Sequence, residues 1–182
     1  MDWDAWVHGP GMPPVWQDFR TPKLNQSLAI ADGYIALAGK GSPANFTDYE
    51  GYYSSLKQIF VSRLQDRIGD VTLDILTQID KDLSITSTVD PEVKQFWFFV
   101  CIMKGYQPVM QPAHTFISSM GRLKYLKPVY QALLNTNQKD LAVQWFNENI
   151  NFYHPTAVIT LKRLLGIPTE EEEHSETLFL TA

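Results

Sequence analysis

Apolar residues recur along this chain at spacings of three and four, separated by polar ones, and that period matches a helix with one buried stripe. Leu24, Leu28, Ala31 and Ile35 form such a stripe and predict a helix over 24–37. Leu56, Ile59, Phe60, Leu64 and Ile68 predict a second over 54–68, which Gly69 ends. Leu73, Leu76, Ile79 and Leu83 predict a third over 71–83. Asp90-Pro91-Glu92 then supplies an N-cap, a proline at the first helical position and an acid in the first turn. The helix it opens, over 91–104, is apolar nearly all round after Gln95 and belongs at the centre of a helical assembly. Gly105 stops it. A helix over 107–120 follows, in which Pro112 either kinks the helix or marks its true start. Pro128 is placed to open a helix over 128–134. Leu141, Val143, Trp145, Phe146 and Ile150 mark another over 139–150. His154-Pro155-Thr156 opens the last, which runs to Leu165 and closes at Gly166.

About eight short helices with short connections and hardly any strand signal predict an all-α fold. The expected architecture is an α-α superhelix of antiparallel helix pairs, armadillo- or HEAT-like. No clean repeat is visible, so the superhelix is degenerate. Three regions divide the chain. Residues 1–22 are an aromatic, proline-rich arm, expected to be extended or turning. Residues 23–168 are the helical domain, and 169–182 a flexible tail opening with the acidic run Glu170 to Glu173. Trp3, Trp6 and Trp16 suggest that the arm packs on something, because a free linker would be more polar.

Composition narrows the function. The net charge of −5 over 182 residues argues against a nucleic-acid footprint. No apolar stretch reaches membrane-spanning length, and Asp2-Trp3-Asp4 is unlike a signal peptide. A cytoplasmic protein with no membrane partner is expected. Cys101 lies in the apolar run Phe96 to Met103 and reads as a buried, inert thiol. Among His8, His114, His154 and His174 no pair has the i, i+4 spacing of a helical zinc site. No metal or other cofactor is therefore expected on this chain, and His154 reads as a capping or packing residue. Gly39-Lys40-Gly41-Ser42 lacks the spacing of a phosphate loop.

One stretch carries candidate chemistry: Gly121-Arg122-Leu123-Lys124-Tyr125. Gly121 is expected to end a helix in the left-handed conformation. Arg122 and Lys124, on a short extended exit, then point the same way, while Leu123 and Tyr125 face the packing. Two convergent cations suit a carboxylate, with arginine as a planar two-pronged donor. The competing reading is a solvated surface pair.

Gly121-Arg122-Leu123-Lys124-Tyr125, then Pro128-Val129-Tyr130, then His154-Pro155-Thr156-Ala157 resemble, in this order, the C-terminal helical domain of the leukotriene A(4) hydrolase family of zinc aminopeptidases. Asp2-Trp3-Asp4-Ala5-Trp6 with Pro10-Gly11-Met12-Pro13-Pro14 is similar to the segment that joins the family's catalytic and helical domains. Pro91-Glu92-Val93 and Phe96-Trp97 are similar to its central helix. The resemblance runs from about Asp2 to about Gly166. It implies an armadillo-type superhelix against a zinc peptidase domain in cis. It also implies that Arg122 and Lys124 hold the free carboxylate of the substrate, and that no catalytic residue lies on this chain. The family's H-E-x-x-H, G-x-M-E-N loop and catalytic tyrosine are not in the sequence, so zinc is expected in a catalytic domain outside it. Two origins fit: a domain of a longer enzyme, or a short product without catalysis. The alternative function is a stand-alone helical-repeat module for protein–protein interaction.

Overall fold

The computed structural model describes residues 2–12, 15, 18 and 20–168, and all regular structure among them is helical. Pro13, Pro14, Trp16 and the acidic tail lie outside the described residues. The helices are α1 (Trp3–Val7), α2 (Pro22–Leu37), α3 (Ser54–Asp66), α4 (Leu73–Leu83), α5 (Pro91–Lys104), α6 (Met110–Ser119), α7 (Leu123–Asn135), α8 (Lys139–Asn149) and α9 (Pro155–Leu165). Short 3₁₀ turns fill several connections. None of the described helices is long and apolar enough to cross a membrane.

The packing order follows the chain. α2 lies on α3, α3 on α5, α5 on α7, and α7 on both α8 and α9. Helices α3, α5, α7 and α9 thus form a row in which each packs on the helix two further along. That arrangement is compatible with the expected superhelix of stacked pairs. At its middle sits α5. Val93, Trp97, Phe98, Val100, Cys101 and Ile102 on it are fully buried. The start signals of α5 act as read: Asp90 accepts from the Glu92 amide at 2.9 Å, with Pro91 at the first position. Gly105 closes it at φ 75°. The preceding connection is pinned rather than loose. Asp80 accepts from the Thr86 amide at 2.9 Å and from its hydroxyl at 2.8 Å, and Trp97 donates to that hydroxyl at 2.9 Å.

Several expectations need correction. In α2 the buried stripe is Ser27, Ile30, Ala31, Tyr34 and Ile35, with Leu24 and Leu28 only half-buried. Ser27 is buried because its small hydroxyl lets α3 approach and donates to the Leu56 carbonyl at 2.8 Å. Asp32, half-buried beside them, accepts from Arg63 and Arg67 at 2.9 Å and joins the same two helices. The segment after Gly105 resolves into a 3₁₀ turn, Gln107–Val109, followed by α6 from Met110. Pro112 then falls in the first turn, where an amide has no helical partner to lose. Part of the arm expected to be extended or turning forms α1, capped by Asp2 accepting from Ala5 at 3.1 Å. It buries no residue, and Trp3 is 69% exposed.

Two corrections fall on the candidate stretch. Gly121 is not left-handed: α6 ends at Ser119, and Met120 leaves it in an extended conformation, φ −124°. α7 begins at Leu123, so Pro128 sits inside that helix rather than at its start. An interior proline removes one backbone bond, here the one to the Lys124 carbonyl. The helix tolerates it because Tyr125, Leu126, Val129 and Tyr130 bury on both sides of it.

Glycine is required at Gly39, which has φ 80° and where a Cβ would fall 2.5 Å from the Asp74 Cβ. Gly105 has a similar φ of 75° but open space around it. Gly105→Ala should therefore cost about 1 kcal/mol, from the left-handed backbone alone. Gly39→Ala should cost roughly 2 to 4 kcal/mol, because α2 and α4 must also separate. Urea unfolding of both variants checks this, and equal losses would refute the close approach.

Candidate functional site

Arg122 occupies the cap position of α7 with an extended backbone, φ −85° and ψ 123°, and is exposed. The chain turns helical at Leu123, so Lys124 belongs to the first turn. The extended step that would align the two side chains is therefore not continued, and they line different clefts. Arg122 lines one of about 620 Å³ with Gly121, Leu123, Phe152, His154 and Ala157. Lys124 lines one of about 470 Å³ with Phe96, Phe99, Lys127 and Pro128, and Leu123 borders both. Tyr125 lies between the cations. The Arg122 guanidinium is 6.0 Å and the Lys124 ammonium 5.7 Å from its ring centre, within cation–π range. As expected, Tyr125 is buried at 8% exposure; Leu123 is half-buried.

Lys124 is engaged by a partner far off in sequence. Its ammonium donates to both oxygens of Glu92, at 2.6 and 2.5 Å. The same carboxylate accepts from the Tyr125 hydroxyl at 2.9 Å and from the Gln95 amide at 2.9 Å. The Lys124 hydrogen bond holds the Glu92 carboxyl below the usual glutamate range, and Tyr125 adds to this against the effect of partial burial. Donation to Glu92 in turn raises the Tyr125 hydroxyl. Glu92 reads in the sequence only as a first-turn acid of α5. Its pairing spans 32 residues, and no local signal reports it.

Arg122 has no acidic side chain within ion-pair distance among the described residues, whereas Arg20, Arg63 and Arg67 each bond an aspartate. The wall of its cleft comes from the α8–α9 junction. His154 caps α9, its Nδ1 accepting from the Thr156 amide at 3.2 Å, as the sequence suggests. Phe152 is 54% exposed. Between them Tyr153 is buried, and its hydroxyl is 2.9 Å from that of Tyr130 on α7. Burial pushes both hydroxyls up, Tyr153 to about 12, and the bond anchors the junction to α7. The Arg122 cleft thus combines a guanidinium without an acidic partner among the described residues, apolar walls and the first turn of α9, whose Thr156 and Ala157 amides are already bonded to His154. Such a place can hold an anion with an apolar group beside it.

No group of three or more His, Cys, Asp or Glu side chains among the described residues could hold a metal ion. The residues present do not fit a zinc ion. Cys101 is buried, which pushes its thiol well up, as suits an inert core residue.

The family model described as "Leukotriene A4 hydrolase, C-terminal" matches residues 52–165. The leucine aminopeptidase 2 of Ajellomyces capsulatus is 27% identical over 154 residues, covering 85% of this chain and 24% of that protein. The leukotriene A-4 hydrolase homolog of Botryotinia fuckeliana is 28% identical over 155 residues, covering 85% and 23%. The chain thus spans about a quarter of the length of these relatives. The solved structure of native yeast LTA4 hydrolase superposes with a TM-score of 0.79 at 22% identity, over 92% of this chain and 29% of that one, and shares its fold.

The Glu92 pairing has a pH signature. Its folded pKa lies below its unfolded value, so the stabilisation is full above the unfolded value and is lost as pH falls through the folded one. Wild type should exceed Glu92→Gln in unfolding free energy at neutral pH, with the gap closing as the pH falls below the usual glutamate range. Denaturant titrations across that range measure it. A gap that stays constant would show that the carboxylate charge contributes nothing.

Proposed function

The chain belongs to the leukotriene A4 hydrolase C-terminal family, and on that premise we propose that it serves as the helical carboxyl-terminal domain of a zinc aminopeptidase. In this reading it closes the substrate cleft and binds the free carboxylate of the peptide. Zinc and the water-activating residues belong to a catalytic domain joined in cis, in a cytoplasmic enzyme. The residues here bind and orient; they carry no step of the hydrolysis. The observation that supports this best is the Arg122 guanidinium, without an acidic partner among the described residues, in a cleft with Phe152 and His154. Lys124 assists with what its pairing leaves free. Of three ammonium donors, two go to Glu92.

The exposed Trp3, Trp6 and Val7 of α1 favour a docking role for the arm. That fits contact with a catalytic domain. It also fits the second reading, a stand-alone interaction module, which capture of a stable partner protein by the isolated chain would support.

In an enzyme containing this domain, Arg122→Ala should cost much more activity than Lys124→Ala. Loss of a two-pronged, charge-assisted contact removes about 2 to 4 kcal/mol of binding, or roughly a hundredfold or more in kcat/KM. The loss should fall on free-acid tripeptides and spare the matching amides, which present no anion. Steady-state kinetics on matched pairs decides it. Equal losses on acid and amide would mean that Arg122 is structural.

A further inference from the structure

Resting on the carboxylate-binding reading, we propose that Glu92 is a built-in counterion for Lys124 that makes the site select peptides with an uncharged C-terminal residue and reject those ending in aspartate or glutamate. The argument begins with where Glu92 is held. It is in the first turn of α5, directly after the Asp90 cap, so its backbone is set by the most buried helix of the fold. Its carboxylate is oriented from three directions, by Lys124, Tyr125 and Gln95, at distances from 2.5 to 2.9 Å. An ordinary surface ion pair is a single contact between two mobile side chains. Here only the lysine is long and half exposed, at 47%, while the Glu92 side chain is 26% exposed.

The charge arrangement follows. Arg122 and Lys124 flank the same tyrosine ring, but one of the two positive charges is cancelled by Glu92. Lys127 lines the Lys124 cleft and not that of Arg122. An incoming peptide end in the Arg122 cleft therefore meets one cation without an acidic partner among the described residues and, across Tyr125 from it, an ammonium with a single donor to spare. One carboxylate satisfies Arg122. A second carboxylate, on an acidic terminal side chain, has only Lys124 left to turn to, and Glu92 already neutralises it. Leu123, Phe152 and Ala157 in the Arg122 cleft suit an apolar terminal side chain instead.

The test uses the full 182-residue chain, isotope-labelled, with amide chemical shifts followed during titration. The probes are N-acetyl-alanyl-phenylalanine, its amide, and N-acetyl-alanyl-glutamate. Wild type should bind the phenylalanine acid best, the glutamate peptide several-fold less well, and the amide not measurably. Glu92→Gln should shift the preference towards the glutamate peptide by about two- to fivefold, the size of one added ion pair at a partly exposed site. Lys124→Met, which leaves Glu92 uncompensated, should shift it the other way. The double variant Glu92→Gln with Lys124→Met should lose the gain. Opposite shifts from the two single variants are what a merely structural ion pair would not give, because losing fold or local order weakens all acids alike. If Arg122→Ala abolishes binding but neither variant moves the ratio, the counterion inference falls and the carboxylate reading stands. If Arg122→Ala leaves the phenylalanine acid bound as before, the carboxylate reading itself is wrong. If neither wild type nor Glu92→Gln binds any probe, both are.

Discussion

A helix without a polar face must be enclosed, and α5 imposes that demand on the rest of the domain. α3 and α7 flank it, and the connections at Ile85 and Val109 contribute buried side chains to the same core. Each large side chain buried on it contributes about 1.5 to 3 kcal/mol, against at most about 1 for an exposed lysine–glutamate pair. The core therefore decides where the ion pair sits, and not the reverse. At its first turn, α5 presents Glu92 to the first turn of α7. The cations thus border the polar first turn of the central helix.

How far the sequence could be read depended on the range of the interactions. Features set by neighbouring residues were legible: the Asp90-Pro91 start, the Gly105 and Gly166 closures, the His154 cap and the central place of α5. Features set by tertiary approach were not. Ala38 and Ser84 close α2 and α4 in the left-handed conformation without being glycine, while Gly121 is not left-handed at all. Pro128 looks like a helix start in isolation, yet α7 is already under way, because Tyr125 and Leu126 before the proline are buried as Val129 and Tyr130 after it are. Ser27 is buried for the sake of a carbonyl 29 residues away.

The candidate site divides along the same line. Arg122 and Lys124 could be singled out from composition and resemblance, and the burial of Tyr125 from alternation. Their separation into two clefts required knowing that the backbone turns helical between them. Phe152 and the Tyr130–Tyr153 bond had no marker beyond an aromatic pair before a proline. The family assignment and the fold rest on the match across residues 52–165 and on the superposition with the yeast hydrolase.

The proline inside α7 has a consequence for the mechanics of the site. Without an amide at Pro128, the ladder that would tie the first turn to the second lacks a rung at the Lys124 carbonyl. The backbone bonds to Arg122, from Tyr125 at 2.9 Å and Leu126 at 3.3 Å, tie that turn to its cap. The turn bearing both cations is accordingly tied to the rest of α7 by one backbone bond fewer than an uninterrupted helix would have. Its amides should exchange with solvent ahead of those from Val129 onward. The side-chain ties to Glu92 add to the burial of Tyr125 and Leu126 in holding that turn in place.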